Sequence, residues 1–177
     1  MKEVLLRELK KKEIKDEAVL RAFQEVPREL FVLKQYRKMA YEDRPLPIFA
    51  NQTISQPTTV VIMTQALEVK LGMKILEVGA GSGYQAAILS KLVGSKGRII
   101  ATEIIPELVD FAKKNLEKLG CRNVKVVHSD GSLGYEKEKP YDRIIVTAAA
   151  PHVPEPLFKQ LKIGGILVIP VGSLYSQ

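Results

Sequence analysis

A chain of 177 residues, 46% hydrophobic and 27% charged, fits one domain with a sizeable core, and its composition is ordinary for a soluble protein. No apolar run approaches the roughly 20 residues that span a bilayer, and the first seven residues mix charge with apolar side chains rather than forming a secretory leader, so a cytoplasmic protein off the membrane is expected. The formal charge of +7 does not by itself point to nucleic acid, because the basic residues interleave with glutamates, as between Glu8 and Glu13, and no aromatic-interleaved basic cluster occurs.

In chain order, residues 4–26 predict two helices broken near Ile14-Lys15-Asp16, with Asp16 as the N-cap of the second. The stretch 41–55 holds too many turn formers for a regular element, and long irregular loops of this kind tend to be functional. Pro57 suits the first turn of a helix, with Val60, Met63, Leu67 and Leu71 as its apolar stripe. From Lys74 the pattern alternates strictly. Strands are predicted at 75–78, 98–102, 124–128, 143–147 and 166–169, with helices at 84–92, 106–119 and 156–161 between them. That alternation implies a parallel sheet covered on both faces. Cys121, the single cysteine, sits at a predicted helix end and reads as a structural thiol; His128 belongs to a strand and His152 to a surface loop, with no metal spacing between them.

The chain is organised around the stretch from Lys74 to Gly83, Lys-Ile-Leu-Glu-Val-Gly-Ala-Gly-Ser-Gly. A strand, a tight glycine turn and a helix make the first half of a nucleotide-cradling unit. Glycine accepts backbone angles closed to other residues and lets a ligand lie against the main chain. The same turn also forms where a helix merely packs close to a strand. Glu103 ends the second strand, where a carboxylate can accept both hydroxyl hydrogens of a ribose. Asp130 ends the third, placed to accept from an adenine amino group, with Gly131 leaving room for the ring. Singly, each carboxylate could as well be a strand-end or turn residue. Together with the glycine turn, at three successive strand ends, they favour an adenosine ligand. Tyr84 stands where a nicotinamide dehydrogenase has its third glycine, and no Gly-Lys-Ser/Thr follows to make a P-loop.

Glu77-Val78-Gly79-Ala80-Gly81-Ser82-Gly83 resembles the first motif of class I S-adenosylmethionine-dependent methyltransferases. Four stretches are similar, more narrowly, to the protein-L-isoaspartate O-methyltransferases: Leu46-Pro47-Ile48 through Gln52-Thr53-Ile54-Ser55-Gln56-Pro57; the glycine turn continued by Tyr84-Gln85-Ala86-Ala87; Pro140-Tyr141-Asp142 leading to Val146-Thr147-Ala148-Ala149-Ala150-Pro151; and Leu161-Lys162-Ile163-Gly164-Gly165 leading to Pro170-Val171-Gly172. The resemblance runs from about Asp16 to the end, and the Thr-Ile-Ser-Gln-Pro and Thr-Ala-Ala-Ala-Pro stretches are its specific part.

The resemblance implies a doubly wound, mostly parallel α/β sheet of Rossmann-like type preceded by N-terminal helices. Residues 1–56 would cover substrate and cofactor, and residues 57–177 would form the S-adenosylmethionine-binding core. It implies methyl transfer to the free α-carboxylate of L-isoaspartyl residues in damaged proteins and peptides, by a monomer without nucleic-acid partners. S-adenosyl-L-methionine would leave as S-adenosyl-L-homocysteine, and the ester would go on to a succinimide. Cofactor contacts are implied for Thr53, Ile54, Ser55, Glu77, Gly79, Ala80, Gly81, Ser82, Gly83, Glu103, Ile104, Asp130 and Gly131, and the key active-site role for Ser55, which beside Pro57 also suits a helix cap. Substrate contacts are implied for Thr147, Ala148, Ala149, Ala150 and Pro151. Base-modifying amino-methyltransferases carry an Asp/Asn-Pro-Pro-aromatic motif at that place; three alanines offer backbone and space instead, suited to an extended peptide or to a tight strand-to-helix corner. A carboxylate with a pKa near 4 is already ionised and needs no strong base, only alignment in a water-poor site. Two departures stand out. Thr58 occupies a place where relatives commonly carry His or Tyr, and relatives usually continue for tens of residues past the fifth strand, so C-terminal strands are expected to be missing. A methyltransferase for another substrate such as RNA, and a non-catalytic adenosine-binding domain, remain as alternatives.

Overall fold

The computed structural model describes residues 2–11, 14–148 and 150–172. Helix α1 (Lys2–Lys11) and helix α2 (Glu17–Glu25) are separated where the sequence breaks. The Asp16 carboxylate caps α2, accepting from the N–H groups of Ala18 and Val19 at 2.8 and 3.1 Å. Two 3-10 turns follow (Arg28–Leu30 and Lys34–Met39), and the segment expected to be irregular closes as a small hairpin of β1 (Leu46–Pro47) and β2 (Thr53–Ile54). Two-residue strands are too short to show period-two alternation, and Ala50 and Asn51 at the tip take the left-handed angles (φ 55° each) that a tight return needs.

Helix α3 (Pro57–Ala66) starts at its proline as expected but ends before Leu67, so Leu71 falls outside the apolar stripe and is 80% exposed. The sheet then builds as β3 (Lys74–Val78), α4 (Tyr84–Val93), β4 (Arg98–Glu103), α5 (Pro106–Lys118), β5 (Val124–His128), β6 (Tyr141–Val146), α6 (Glu155–Gln160) and β7 (Leu161–Val168). Its order is β5-β4-β3-β6-β7, all parallel. Strand β7 starts earlier than predicted, and its chain bulges outward between Leu161 and Ile166, around Gly164 at φ +75°, before regaining register with β6.

Each central strand buries both faces, which is why the predicted runs are apolar without alternation. Ile75, Ile99, Ala101 and Ile145 join the large core formed with α2, α3, α4 and α5, while Leu76, Ile100 and Ile144 face a smaller core with Tyr141 and Leu157. The chain runs outward from β3 through β4 to β5, then returns to the other side of β3 as β6. A reversal of this kind leaves a crevice at the carboxyl ends of the strands. Among the described residues, no helix is long and apolar enough to cross a membrane.

Candidate active site

That crevice is a cleft of about 430 Å³, reached by the ends of β3, β4, β5 and β6. Gly79, Gly81, Glu103, Ile104, Asp130, Gly131, Thr147, Ala148 and Ala150 line it, with Thr53 from the hairpin. A smaller pocket of about 60 Å³ adjoins it around the glycine turn and is lined by Ile54, Ser55, Glu77, Ala80, Ser82 and Tyr84. The structure thus gathers most of the residues singled out in the sequence.

The three glycines of the turn answer different demands. Gly79 (φ +96°) sits so close to Thr147 that a Cβ would lie 2.7 Å from its Oγ1. Gly83 (φ +85°) is the N-cap of α4 and packs on Ala112 and Leu116 of α5. Gly81 (φ +52°) alone has open space before it, the nearest atom being a methyl of Ile48 at 3.8 Å. The turn is pinned from both sides. The N–H groups of Gly79 and Ala80 both donate to the Thr102 carbonyl at 2.9 Å. The Thr147 hydroxyl donates to the Val78 carbonyl at 3.0 Å and makes a short bond to that of Gly79. The Thr147 side chain, expected at the substrate, is therefore committed to the turn.

Glu103 plays two parts. Its Oε2 accepts from the Gly81 N–H at 2.9 Å and its Oε1 from the Ile105 N–H at 3.0 Å. Each oxygen keeps a further lone pair for a ligand in the cleft. Asp130 caps the turn after β5, accepting from the Ser132 N–H at 2.9 Å. Gly131 leaves room for the sheet rather than for a ring: a Cβ there would meet Val78 and Thr102 side chains at 2.5 and 2.6 Å.

Glu77 is fully buried, and neither carboxylate oxygen has a hydrogen-bond partner among the described residues. Burial, and then the charge of Glu103, hold its carboxyl well above the ordinary 4.5. A buried unpaired acid is costly to keep unless something else engages it, and this one borders the small pocket beside Ser55.

Ser55 does not cap α3. That cap comes from Asp43, whose oxygens accept from the Thr58 N–H at 2.9 Å and the Thr58 hydroxyl at 2.6 Å. Thr58, a departure from the family pattern, is thereby buried against Asp43. Ala150 is likewise engaged: its N–H donates to the Pro170 carbonyl at 3.2 Å, and its own carbonyl accepts from the Gly172 N–H at 3.2 Å. Its backbone is thus taken by a bridge to the chain after β7, against the expectation that a peptide docks on it. Ala148 lines the cleft, Pro151 is exposed outside its lining, and Ala149 lies outside the described residues. His128 is an exposed strand residue and His152 an exposed loop residue, as read from the sequence. Burial pushes the Cys121 thiol up, the opposite of an activated nucleophile. Sequence reasoning missed Asp43 and Arg28, whose partners lie 15 and 27 residues away and leave no local signal.

A doubly wound parallel sheet with a glycine turn, a strand-end acid and a cleft at its switch point is an adenosine-binding arrangement, and the solved structures it superposes on make it a class I S-adenosylmethionine-dependent methyltransferase. Comparison with known proteins narrows the class. The family model for protein-L-isoaspartate(D-aspartate) O-methyltransferase matches residues 1–177. A protein-L-isoaspartate O-methyltransferase from Methanothrix thermoacetophila is 55% identical over 161 residues, covering 91% of this chain and 76% of its own. A solved protein-L-isoaspartate O-methyltransferase superposes with a TM-score of 0.88 at 39% identity, over 97% of this chain and 55% of the other. A Plasmodium falciparum structure described as a candidate member of that family, in complex with S-adenosyl-L-homocysteine, superposes with a TM-score of 0.83 at 28% identity over 97% and 84%. The chain belongs to the protein-L-isoaspartate(D-aspartate) O-methyltransferase family.

Proposed function

We propose that this chain methylates the free α-carboxylate of L-isoaspartyl residues in damaged proteins and peptides, within the cleft at the ends of β3, β4, β5 and β6. The observation that carries the reading is the buried, unpartnered carboxylate of Glu77 beside an open Gly81, in a pocket that adjoins the cleft lined by Glu103 and Asp130. An amino-acid ammonium suits Glu77, ribose hydroxyls suit the remaining lone pairs of Glu103, and the cleft beside Asp130 suits the adenine end, so the residues fit S-adenosyl-L-methionine. When bound, that cofactor supplies a methyl group on a cationic sulfur and leaves as S-adenosyl-L-homocysteine.

The protein's own part is placement. Thr53, Ile54 and exposed Ile104 border the two pockets and screen them from water. Ser55, at the small pocket, offers a hydroxyl to orient the substrate carboxylate. The small side chains of Ala148 and Ala150 leave room in the cleft for an extended peptide. The carboxylate is ionised at neutral pH, so no side chain has to remove a proton, and alignment supplies the rate. The neighbouring backbone amide nitrogen then attacks the ester carbonyl and methanol leaves, giving a succinimide whose hydrolysis returns part of the chain to normal aspartate.

The chemistry of the product tests this. Incubation of an isoaspartyl peptide with methyl-labelled cofactor should give label that mild alkali releases as methanol, because carboxyl esters hydrolyse there. Label that survives alkali would point to methylation of nitrogen and contradict the reading.

A further inference from the structure

Arg28 is fully buried, yet its guanidinium serves two backbone carbonyls rather than a carboxylate. Its Nε donates to the Ala40 carbonyl at 2.8 Å and its Nη2 to the Ser55 carbonyl at 2.7 Å. A buried cation held by carbonyls rather than by a close ion pair is expensive to keep. What this one achieves is local geometry.

The residues around it close a ring. From Arg28 the chain of contacts passes to Ala40, along the segment 40–43 to Asp43, across to Thr58, back through Pro57 and Gln56 to Ser55, and from the Ser55 carbonyl to Arg28 again. The segment 40–43 is held a second time by Tyr41, whose hydroxyl accepts from the Arg28 N–H at 3.2 Å and donates to Glu29. Ser55 therefore has its preceding residue fixed by the hairpin pairing of Ile54 with Leu46, its following helix fixed by Asp43, and its own peptide fixed by Arg28. The guanidinium also stacks over the Tyr84 ring, with its central carbon 4.9 Å from the ring centroid. Tyr84 is the first residue of α4, directly after the glycine turn, and its ring is held by Phe31 and Phe23 at 5.3 and 6.4 Å.

We propose that Arg28 is a positioning residue for methyl transfer: by bridging the Ala40 and Ser55 carbonyls over Tyr84, it locks the serine segment to the cofactor turn and so fixes the Ser55 hydroxyl relative to the transferred methyl. The planar fork reaches two carbonyls at once, which a single ammonium does not. This inference rests on the isoaspartyl methylation described above.

The test is a double-mutant cycle of Arg28→Lys and Ser55→Ala, with Arg28→Met alongside. Turnover and KM for an isoaspartyl peptide are measured together with calorimetric affinity for S-adenosylhomocysteine. Arg28→Lys should lower kcat by about 10-fold or more, since small misplacements near reacting atoms carry losses of that order, while cofactor affinity changes by less than about 3-fold. In the Ser55→Ala background the same substitution should cost less than about 2-fold, because coupled residues are not additive. An equal loss in both backgrounds, an unchanged kcat, or a loss fully explained by cofactor affinity would overturn the proposal. Should Arg28→Met fail to fold, the lysine variant, which keeps the charge, carries the cycle. Inactivity of the wild-type chain on isoaspartyl peptides would instead count against the proposed function.

Discussion

Asp43 caps a helix from 15 residues upstream, its two carboxylate oxygens accepting from the N–H and the hydroxyl of Thr58 at 2.9 and 2.6 Å. Helix α3 has no cap from its own N-cap residue, Gln56, so the cross-chain carboxylate does that work and ties segment 40–43 to the serine loop. Asp43→Ala should cost about 1–2 kcal/mol of stability in urea unfolding, the range for losing an N-cap. Asp43→Asn, which keeps an acceptor, should lose less. Equal loss from both would show that charge, rather than capping, is what Asp43 contributes.

Glu77 gives a pH dependence with a defined sign. Its folded carboxyl is held well above the ordinary 4.5, whereas the unfolded chain titrates near that value. A raised acid stabilises fully below the unfolded value, and that contribution is lost as pH rises toward the folded one. The cofactor-free protein should therefore lose stability above pH 4.5 relative to Glu77→Gln, whose profile lacks this slope. Binding of a ligand ammonium should draw the proton off. Calorimetry in buffers of different ionisation enthalpy should then detect proton release with S-adenosylhomocysteine in the wild type and less in Glu77→Gln.

The two hydrogen bonds that Glu103 accepts make it part of the turn as well as a ligand group. Glu103→Ala removes both acceptors and leaves the Gly81 and Ile105 N–H groups to find others, a penalty of about 1–3 kcal/mol per group when buried. Cofactor affinity should fall by about 10-fold or more, and by less in Glu103→Gln. Affinity unchanged in Glu103→Ala would remove Glu103 from the binding site.

Gly79 and Gly120 separate close approach from backbone angle. Both take positive φ, but a Cβ on Gly79 would lie 2.7 Å from Thr147 Oγ1, while no described residue lies within 4 Å of one on Gly120. Gly120→Ala should cost about 1 kcal/mol from left-handed backbone strain alone. Gly79→Ala should cost more and also abolish cofactor binding, because Thr147 holds the turn. Similar losses from the two, with binding retained, would contradict the account of the turn.

Much of the fold was legible because the central strands are buried on both faces. Runs such as Ile75-Leu76 and Ile99-Ile100 divide between two cores, and the first strand, the turn and β5 stand where the sequence places them. The hairpin at 46–54 was not legible, since each strand has two residues and no periodicity to display. Leu71 was assigned to a stripe that its helix does not reach. At the site, the glycine turn, Glu103 and Asp130 were legible as residue types at strand ends and Glu77 only through the family resemblance, but their partners were not. Nothing local says that Asp43 rather than Ser55 caps α3, that the Thr147 hydroxyl turns back onto Gly79, or that Gly131 makes way for Val78. These facts depend on segments far apart in sequence meeting in space.

The most direct measurement is the ratio of kcat/KM for two peptides that differ only at one residue, isoaspartyl in one and normal aspartyl in the other, by the wild-type chain and by Ser55→Ala. The account predicts strong preference for the isoaspartyl peptide in the wild type. It also predicts a fall in kcat of about 10-fold or more in Ser55→Ala, with S-adenosylhomocysteine affinity nearly unchanged, as expected when a group aligns the reacting atoms. Equal rates on the two peptides, or an unaltered kcat in the variant, would contradict it.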